Sequence, residues 1–105
     1  MDIVNKHIKQ TFDGFNAARI VCNDGFSMSV QASRYHYCSP REDNAFPYST
    51  FEIGFPSKRI PEANEYAEEP KRHTKTVFGR VPLKVVLQII KKHGGLRVDE
   101  TRATA

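Results

Sequence analysis

The stretch PLKVVLQIIKKHGG, residues 82–95, decides the fold class of this 105-residue chain. It is aliphatic except for a narrow polar stripe that includes Lys84 and Lys91. Pro82 suits the first helical position, and the pair Gly94-Gly95 suits the left-handed turn that ends a helix. A helix this apolar must be largely buried, and a sheet is the simplest surface for it to cover.

Alternating segments upstream predict the strands of that sheet. Asn23-Asp24-Gly25 lies between AARIVC (17–22) and FSMSVQ (26–31), and an Asp-Gly pair between apolar runs is a strong hairpin signal. A turn at Asp13-Gly14 joins a weaker strand, over residues 5–12, to this hairpin. The pattern predicts a three-stranded antiparallel meander.

The stretch YSTFEIGF, residues 48–55, predicts a further strand. Its side chains alternate, so that one face has Phe51, Ile53 and Phe55 while the other has Tyr48, Thr50 and Glu52. We expect the first face to lie in the core. The second face is expected to contact solvent or a partner.

The remaining segments complete an α+β fold. Residues 61–69 begin with proline and predict a short helix, and the charged residues 68–75 predict a mobile loop. Together the elements predict an antiparallel sheet of four or five strands, covered on one face by the C-terminal helix. We expect a single domain over residues 1–96 and a flexible tail over residues 97–105.

Composition excludes several classes of protein. The chain is 39% hydrophobic and 27% charged, which is typical of a globular domain, and it is too short for an enzyme with a cleft between two lobes. No apolar run is long enough to cross a membrane, and the first ten residues lack the apolar segment of a secretion signal. We therefore expect a cytoplasmic protein in which Cys22 and Cys38 are reduced.

The net charge of +4 is unevenly distributed. Residues 1–56 carry five basic and six acidic side chains, whereas residues 57–105 carry eleven basic and six acidic ones. A local positive field attracts nucleic acid, nucleotides or an acidic protein surface, and it equally fits a solvated rim that keeps the protein dispersed. The total is too small for a stand-alone DNA-binding protein.

The densest group of reactive and charged side chains lies in residues 31–43, at the end of a predicted strand. Arg34 and Arg41 can present paired nitrogens to a phosphate or carboxylate, and Tyr35 and Tyr37 can stack on a base or fill a groove. The predicted binding surface consists of Arg34, Tyr35, His36, Tyr37, Ser39, Arg41, Tyr48, Glu52, Lys58 and Arg59. The structural alternative is that Arg41 pairs with a neighbouring acid and one tyrosine packs in the core.

Two catalytic interpretations of the same segment are weaker. Cys38 as nucleophile and His36 as base lie two residues apart, yet no glycine-rich oxyanion hole or orienting acid accompanies them. As metal ligands, the two residues lack a second pair at a spacing that would complete a tetrahedron. We therefore predict no catalytic residue, no metal and no cofactor.

Four blocks of the sequence carry a resemblance to a known family. They are FSMSVQASRYHYCSPRED (26–43), FEIGFPS (51–57), EYAEEP (65–70) and TVFGRVPLKVVLQIIKKHGG (76–95). In these blocks the chain resembles a family of small proteins encoded by bacteriophages and prophages, over nearly the whole predicted domain. No catalytic residues of that family can be carried over to this chain.

The resemblance implies a role in counter-defence within the host cytoplasm. Such a protein, similar to anti-CRISPR proteins, would bind a bacterial defence nuclease complex such as a CRISPR effector stoichiometrically. The basic net charge departs from the anti-CRISPR proteins that mimic DNA, which are strongly acidic. The alternatives are a sponge that sequesters an anionic signalling nucleotide, in a pocket usually formed by a homodimer in so short a chain, and a Cys-dependent enzyme.

Overall fold

The computed structural model describes residues 1–97 and contains a four-stranded antiparallel sheet whose strands follow one another in chain order. The helices and strands in this part of the chain are α1 (Ile3–Thr11), β1 (Ile20–Val21), β2 (Ser27–Gln31), β3 (Thr50–Gly54), β4 (Val77–Pro82) and α2 (Leu83–Lys92). Two short 3-10 helices, Pro61–Tyr66 and His73–Lys75, lie between β3 and β4. The buried side chains of both α-helices and of the sheet form one core. The predicted α+β fold is confirmed.

Helix α2 ends where the sequence predicts but begins one residue later, because Pro82 is its N-cap and not its first helical residue. It follows Pro82, and Val86 and Ile89 on its inner side are fully buried. Its C-terminal end is closed by Gly94, whose φ is +88° and whose N–H donates to the carbonyl of Lys91 over 3.1 Å. A side chain would strain this backbone conformation, so glycine is required there. The predicted tail over residues 97–105 lies outside the described residues, apart from Arg97.

The predicted hairpin is present and is tied to the end of α2. Strands β1 and β2 pair in antiparallel register, with Gly25 at a φ of +94° in the turn between them. The His93 Nδ1 atom lies 2.7 Å from a carboxylate oxygen of Asp24. Its ring stacks on Phe26 with the ring centres 4.0 Å apart. The turn and the helix end therefore hold each other in place.

The strand predicted over residues 5–12 is wrong, because this segment forms helix α1. The Asp2 carboxylate accepts a hydrogen bond from the backbone N–H of Asn5 over 2.8 Å, which caps the helix N-terminus. Val4 and Ile8, four residues apart, lie on the same side of the helix and are fully buried. The buried side chains of this segment therefore follow the period of a helix and not the alternation of a strand.

The fourth strand of the sheet is β4. The strand predicted over residues 5–12 forms helix α1 instead. Its inward side chains, Phe78 and Val81, are three positions apart because Gly79 and Arg80 together oppose a single residue of β3. This is a β-bulge, and Arg80 has a φ of +50° within it. The sheet therefore has four strands, which agrees with the four or five expected. One of them, β4, stands in place of the strand predicted over residues 5–12.

The segment between β3 and β4 is more ordered than the sequence predicts. Residues 61–69 contain the expected helix as a 3-10 helix, Pro61–Tyr66. The predicted mobile loop over residues 68–75 is wrong in its second half, since it contains a 3-10 helix and its His73 is 1% exposed.

His73 holds this segment together as a neutral ring. Its Nδ1 accepts a hydrogen bond from the backbone N–H of Ile60 over 3.0 Å, so the ring proton lies on Nε2, 2.8 Å from the side-chain oxygen of Asn64. Burial, followed by the nearby Arg59 guanidinium, lowers the pKa of His73 below its usual 6.5. A second proton would have to displace the Ile60 N–H.

We expect the free energy of unfolding to decrease as the pH falls from about 7 to about 5. The folded state binds a proton at His73 more weakly than the unfolded state does, so acid favours unfolding. The loss begins near the ordinary histidine pKa of about 6.5 and reaches at most about 1.4 kcal/mol per pH unit. Urea denaturation at a series of pH values measures it. The variant His73→Gln should show a shallower dependence, and a slope equal to that of the original chain would contradict this account.

Both edges of the sheet carry backbone partners. On the β1 side, Cys22 forms a bridge with Leu96, and the N–H of Arg97 donates to the carbonyl of Val21 over 2.8 Å. On the β4 side, the N–H of Glu68 donates to the carbonyl of Val77 over 3.0 Å. Further along the same strand, the N–H of Arg80 donates to the carbonyl of Tyr37 over 2.9 Å.

Candidate interaction surface

The connection from β2 to β3 places its side chains alternately inside and outside the protein. Tyr35 and Tyr37 are 48% and 45% exposed, whereas His36 and Cys38 between and after them are buried. The buried side chains fix the loop. The Nδ1 of His36 lies 2.6 Å from the hydroxyl of Ser33, and the Cys38 thiol donates to the Ser33 carbonyl over 3.3 Å.

A stack of three side chains forms the first part of the outer surface. The Arg34 guanidinium lies over the Tyr35 ring, 4.9 Å from its centre, and donates to the Tyr35 hydroxyl over 2.8 Å. The Phe15 ring also stacks on that of Tyr35, with the ring centres 5.7 Å apart. The Asp13 carboxylate positions Phe15 by accepting a hydrogen bond from its N–H over 2.9 Å.

Tyr37 and Arg41 form the second part. The Arg41 guanidinium lies 5.0 Å from the centre of the Tyr37 ring, and its Nε donates to the carbonyl of Arg34 over 3.2 Å. The backbone of Tyr37 is fixed as well, because its N–H donates to the Glu52 carboxylate over 3.0 Å. The two parts are therefore joined. We call Phe15, Arg34, Tyr35, Tyr37 and Arg41 the arginine–aromatic surface.

The charges around this surface nearly cancel. Arg34 lies 3.5 Å from the Asp43 carboxylate, and Glu42 next to it is exposed. Arg41 makes no salt bridge with any residue that the structure describes, so its terminal nitrogens remain available. The surface therefore presents a free guanidinium and half-exposed rings without a large positive field.

Several residues of the predicted surface lie elsewhere. Tyr48 is 2% exposed, and its hydroxyl donates to the carbonyl of Glu42 over 2.5 Å, so its predicted position on the open face is wrong. His36 is also buried, beneath the surface. Glu52 supports Tyr37, and Ser39 is half-buried and pairs through its backbone with β3. The exposed Phe55 likewise departs from the predicted inward face.

Lys58 and Arg59 lie at the other end of the sheet. The N–H of Ser57, just before them, donates to the carbonyl of Ser27, the first residue of β2. The arginine–aromatic surface follows the last residue of the same strand, about 13 Å away along five residues. The sequence prediction that placed Lys58 and Arg59 in one binding surface with Arg34 and Arg41 is therefore not supported by their positions in the structure.

Phe15 is the residue of this surface that sequence reasoning missed. It is 66% exposed, the highest exposure among the large hydrophobic residues of the described chain. The signal in the sequence was an apolar residue directly after the Asp13-Gly14 turn. An apolar side chain in a turn is not needed for the core, so it can be exposed for another role.

The Cys38 thiol is held as a structural group. Burial raises the pKa of Cys38, and burial lowers the pKa of His36, so the protonated thiol and the neutral ring are both favoured. Their side chains bond to other partners, with the second nitrogen of His36 lying 3.2 Å from the side-chain oxygen of Asn16. A thiolate–imidazolium pair is therefore disfavoured at this position.

The described residues 1–97 contain neither a cluster of possible metal ligands nor a helix that could cross a membrane. In this part of the chain, no three His, Cys, Asp or Glu side chains converge as metal ligands would. None of its helices is long and apolar enough to cross a membrane.

Comparisons of the chain with protein-family models, with curated proteins and with solved structures gave no match. The resemblance to phage-encoded proteins therefore stays a prediction from the sequence.

Proposed function

We propose that this chain is a non-catalytic binding protein that docks on a protein partner through its arginine–aromatic surface. In the phage setting that the sequence resemblance implies, the partner is a bacterial defence nuclease complex such as a CRISPR effector. The chain then acts stoichiometrically, by occupying a surface that the complex needs.

The observation that carries the proposal is a set of arginine and tyrosine side chains that are exposed to solvent and held in place by contacts with one another. Arg41 lies on Tyr37, and Arg34 lies on Tyr35, and the Arg41 side chain donates a hydrogen bond to the backbone carbonyl of Arg34. Tyrosine and arginine are enriched among the residues that dominate the energy of protein interfaces. Side chains that are already ordered lose less conformational entropy on binding, which favours affinity.

Local charge supports a protein partner more than a nucleic acid. Binding to a phosphate backbone depends on an excess of basic side chains. At this surface Asp43 and Glu42 offset much of the charge of Arg34 and Arg41, whereas protein interfaces are typically of mixed charge. A nucleotide sponge would need to enclose its ligand, and with both rings half-exposed on a single chain it would require a second copy.

A binding assay with purified defence nuclease complexes tests the proposal. We expect the chain to bind one such complex, and Arg41→Ala and Tyr35→Ala each to weaken the affinity by about 1–3 kcal/mol, roughly 5- to 150-fold. Lys71→Ala is the matched control, because Lys71 is exposed in a different loop and should leave the affinity unchanged.

Two results would overturn the proposal. The first is an unchanged affinity in a folded Arg41→Ala/Tyr35→Ala double variant, which would remove this surface from the interface. The second is a rise in melting temperature with cyclic di- or trinucleotides that the double variant abolishes, which would identify the nucleotide sponge instead.

A further inference from the structure

The outer side of the helical layer carries exposed lysines, and the acidic N-cap residue Asp2 lies just before α1. Neither α1 (IVNKHIKQT) nor α2 (LKVVLQIIKK) contains an aspartate or glutamate. Lys6, Lys84 and Lys91 are exposed on these helices, and the salt bridges within residues 1–97 include none of them. Lys92 differs, since it lies 3.5 Å from the Glu62 carboxylate. Three lysines of this side are therefore free of ion pairs in the described structure.

An apolar depression lies where the start of α1 meets the C-terminal end of α2, and Lys91 is the one lysine in its lining. It is open to solvent, has a volume of about 530 Å³ and is lined by Ile3, Leu87, Ile90, Lys91, Gly94 and Gly95. Ile3 is 44% exposed, and Met1 beside it in the chain is 60% exposed. The depression thus exposes aliphatic surface next to a lysine.

The spacing along each helix places lysines on the same helix faces as the apolar residues that line the depression. On α2, Lys84, Leu87 and Lys91 are separated by three and four residues, so they share one face. On α1, Lys6 lies one turn after Ile3, on the same face. We call Ile3, Lys6, Lys84, Leu87 and Lys91 the helix-pair surface.

We propose that the helix-pair surface binds an acidic peptide segment of a partner protein, with one large apolar side chain of the peptide inserted in the depression. The lysines supply the charge complementary to the acidic residues, and the aliphatic floor supplies the contact for the apolar side chain. This proposal is independent of the proposed function, because the helix-pair surface shares no residue with the arginine–aromatic surface.

Other occupants fit the surface less well. A second copy of the chain would bring lysines against lysines, and like charges at an interface oppose association. A nucleic acid would use the lysines but leave the aliphatic floor without a partner, and the surface has no exposed ring on which a base could stack. The peptide is the occupant that uses both the charge and the depression.

Fluorescence anisotropy with a labelled synthetic peptide tests the proposal. The probe has about twelve residues, acidic except for a central Leu-Phe pair, and its control has Gly-Ser in place of that pair. We expect saturable binding of the first peptide at low salt, at least about tenfold weaker binding of the control peptide, and weakening by added salt.

Variants locate the site. The double variant Lys84→Glu/Lys91→Glu should weaken binding at least about tenfold, and it changes only exposed side chains. Leu87→Glu should do the same by charging the depression. The double variant Lys71→Glu/Lys75→Glu makes the same change of charge at exposed positions away from the helices and should bind like the original chain.

Each alternative outcome overturns the proposal. Absence of saturable binding, equal affinity for the two peptides, or an equal loss in the Lys71→Glu/Lys75→Glu variant would each do so. Binding of phosphatidylserine vesicles or of DNA, without binding of the peptide, would assign the lysines to a membrane surface or to a nucleic acid instead. None of these results bears on the variants Arg41→Ala and Tyr35→Ala, so the two proposals fail separately.

Discussion

Replacing Asn5 with leucine is expected to lower the free energy of unfolding by about 3–5 kcal/mol. The Asn5 side chain is fully buried, and its amide pairs with the backbone of Tyr48, accepting from the N–H over 2.7 Å and donating to the carbonyl over 3.1 Å. Leucine has a similar volume but can make neither hydrogen bond. Two buried backbone groups would then lose their partners, at a cost of about 1–3 kcal/mol each.

Urea denaturation followed by circular dichroism measures this loss. Gln10→Ala, an exposed position on the same helix, is the matched control and should change stability by less than about 0.5 kcal/mol. A decrease for Asn5→Leu no greater than that of the control would show that the amide is dispensable. In that case α1 would be held by its apolar side chains and by the hydrogen bonds of His7 and Thr11 with the backbone of Ala18.

Tyr48→Ala is expected to be similarly destabilising, by about 3–5 kcal/mol. Tyr48 is buried with its ring edge-on to Phe46, their centres 4.9 Å apart, so alanine leaves a cavity. Its hydroxyl also donates to the Glu42 carbonyl and accepts from the N–H of Ala45. The variant Tyr48→Phe keeps the ring and should lose only about 1–3 kcal/mol.

The same denaturation experiment separates a structural role from a binding role. Tyr37→Ala removes a half-exposed ring and should cost less than about 1 kcal/mol. If Tyr48→Ala and Tyr37→Ala were equally mild, Tyr48 would belong to the exposed surface that its sequence position first indicated. Because Asn5 contacts Tyr48, the effects of variants at these two positions are not expected to add.

The elements that the sequence predicts well are those with local signals. Helix α2 has an aliphatic majority and a glycine pair at its end, and the β1–β2 hairpin has the Asp24-Gly25 turn. Helix α1 was mistaken for a strand because it is short and its apolar residues are β-branched, which suits either structure. Its informative signal was Asp2, a preferred N-cap residue directly before the apolar residues.

Two features could not be predicted: strand β4 and the set of residues in the arginine–aromatic surface. Both depend on contacts between residues distant in sequence. The bulge at Gly79-Arg80 interrupts the alternation that would reveal a strand. Within residues 31–43 the sequence indicates a group of arginines and tyrosines. Tyr48 lies in the core because helix α1 covers it, and Phe15 joins Tyr35 only after the chain has folded. The spacing of residues along the sequence reveals neither the burial of Tyr48 nor the contact of Phe15 with Tyr35.

The two covered edges of the sheet restrict how other chains can associate with this one. Leu96 and Arg97 occupy the β1 side, while Glu68 and the carbonyl of Tyr37 occupy the β4 side. Among residues 1–97, an extended segment from another molecule therefore finds no open row of main-chain donors and acceptors on which to continue the sheet. Fibril-like stacking of copies at high concentration is hindered for the same reason. Specificity for any partner must then come from the side chains that this small protein displays.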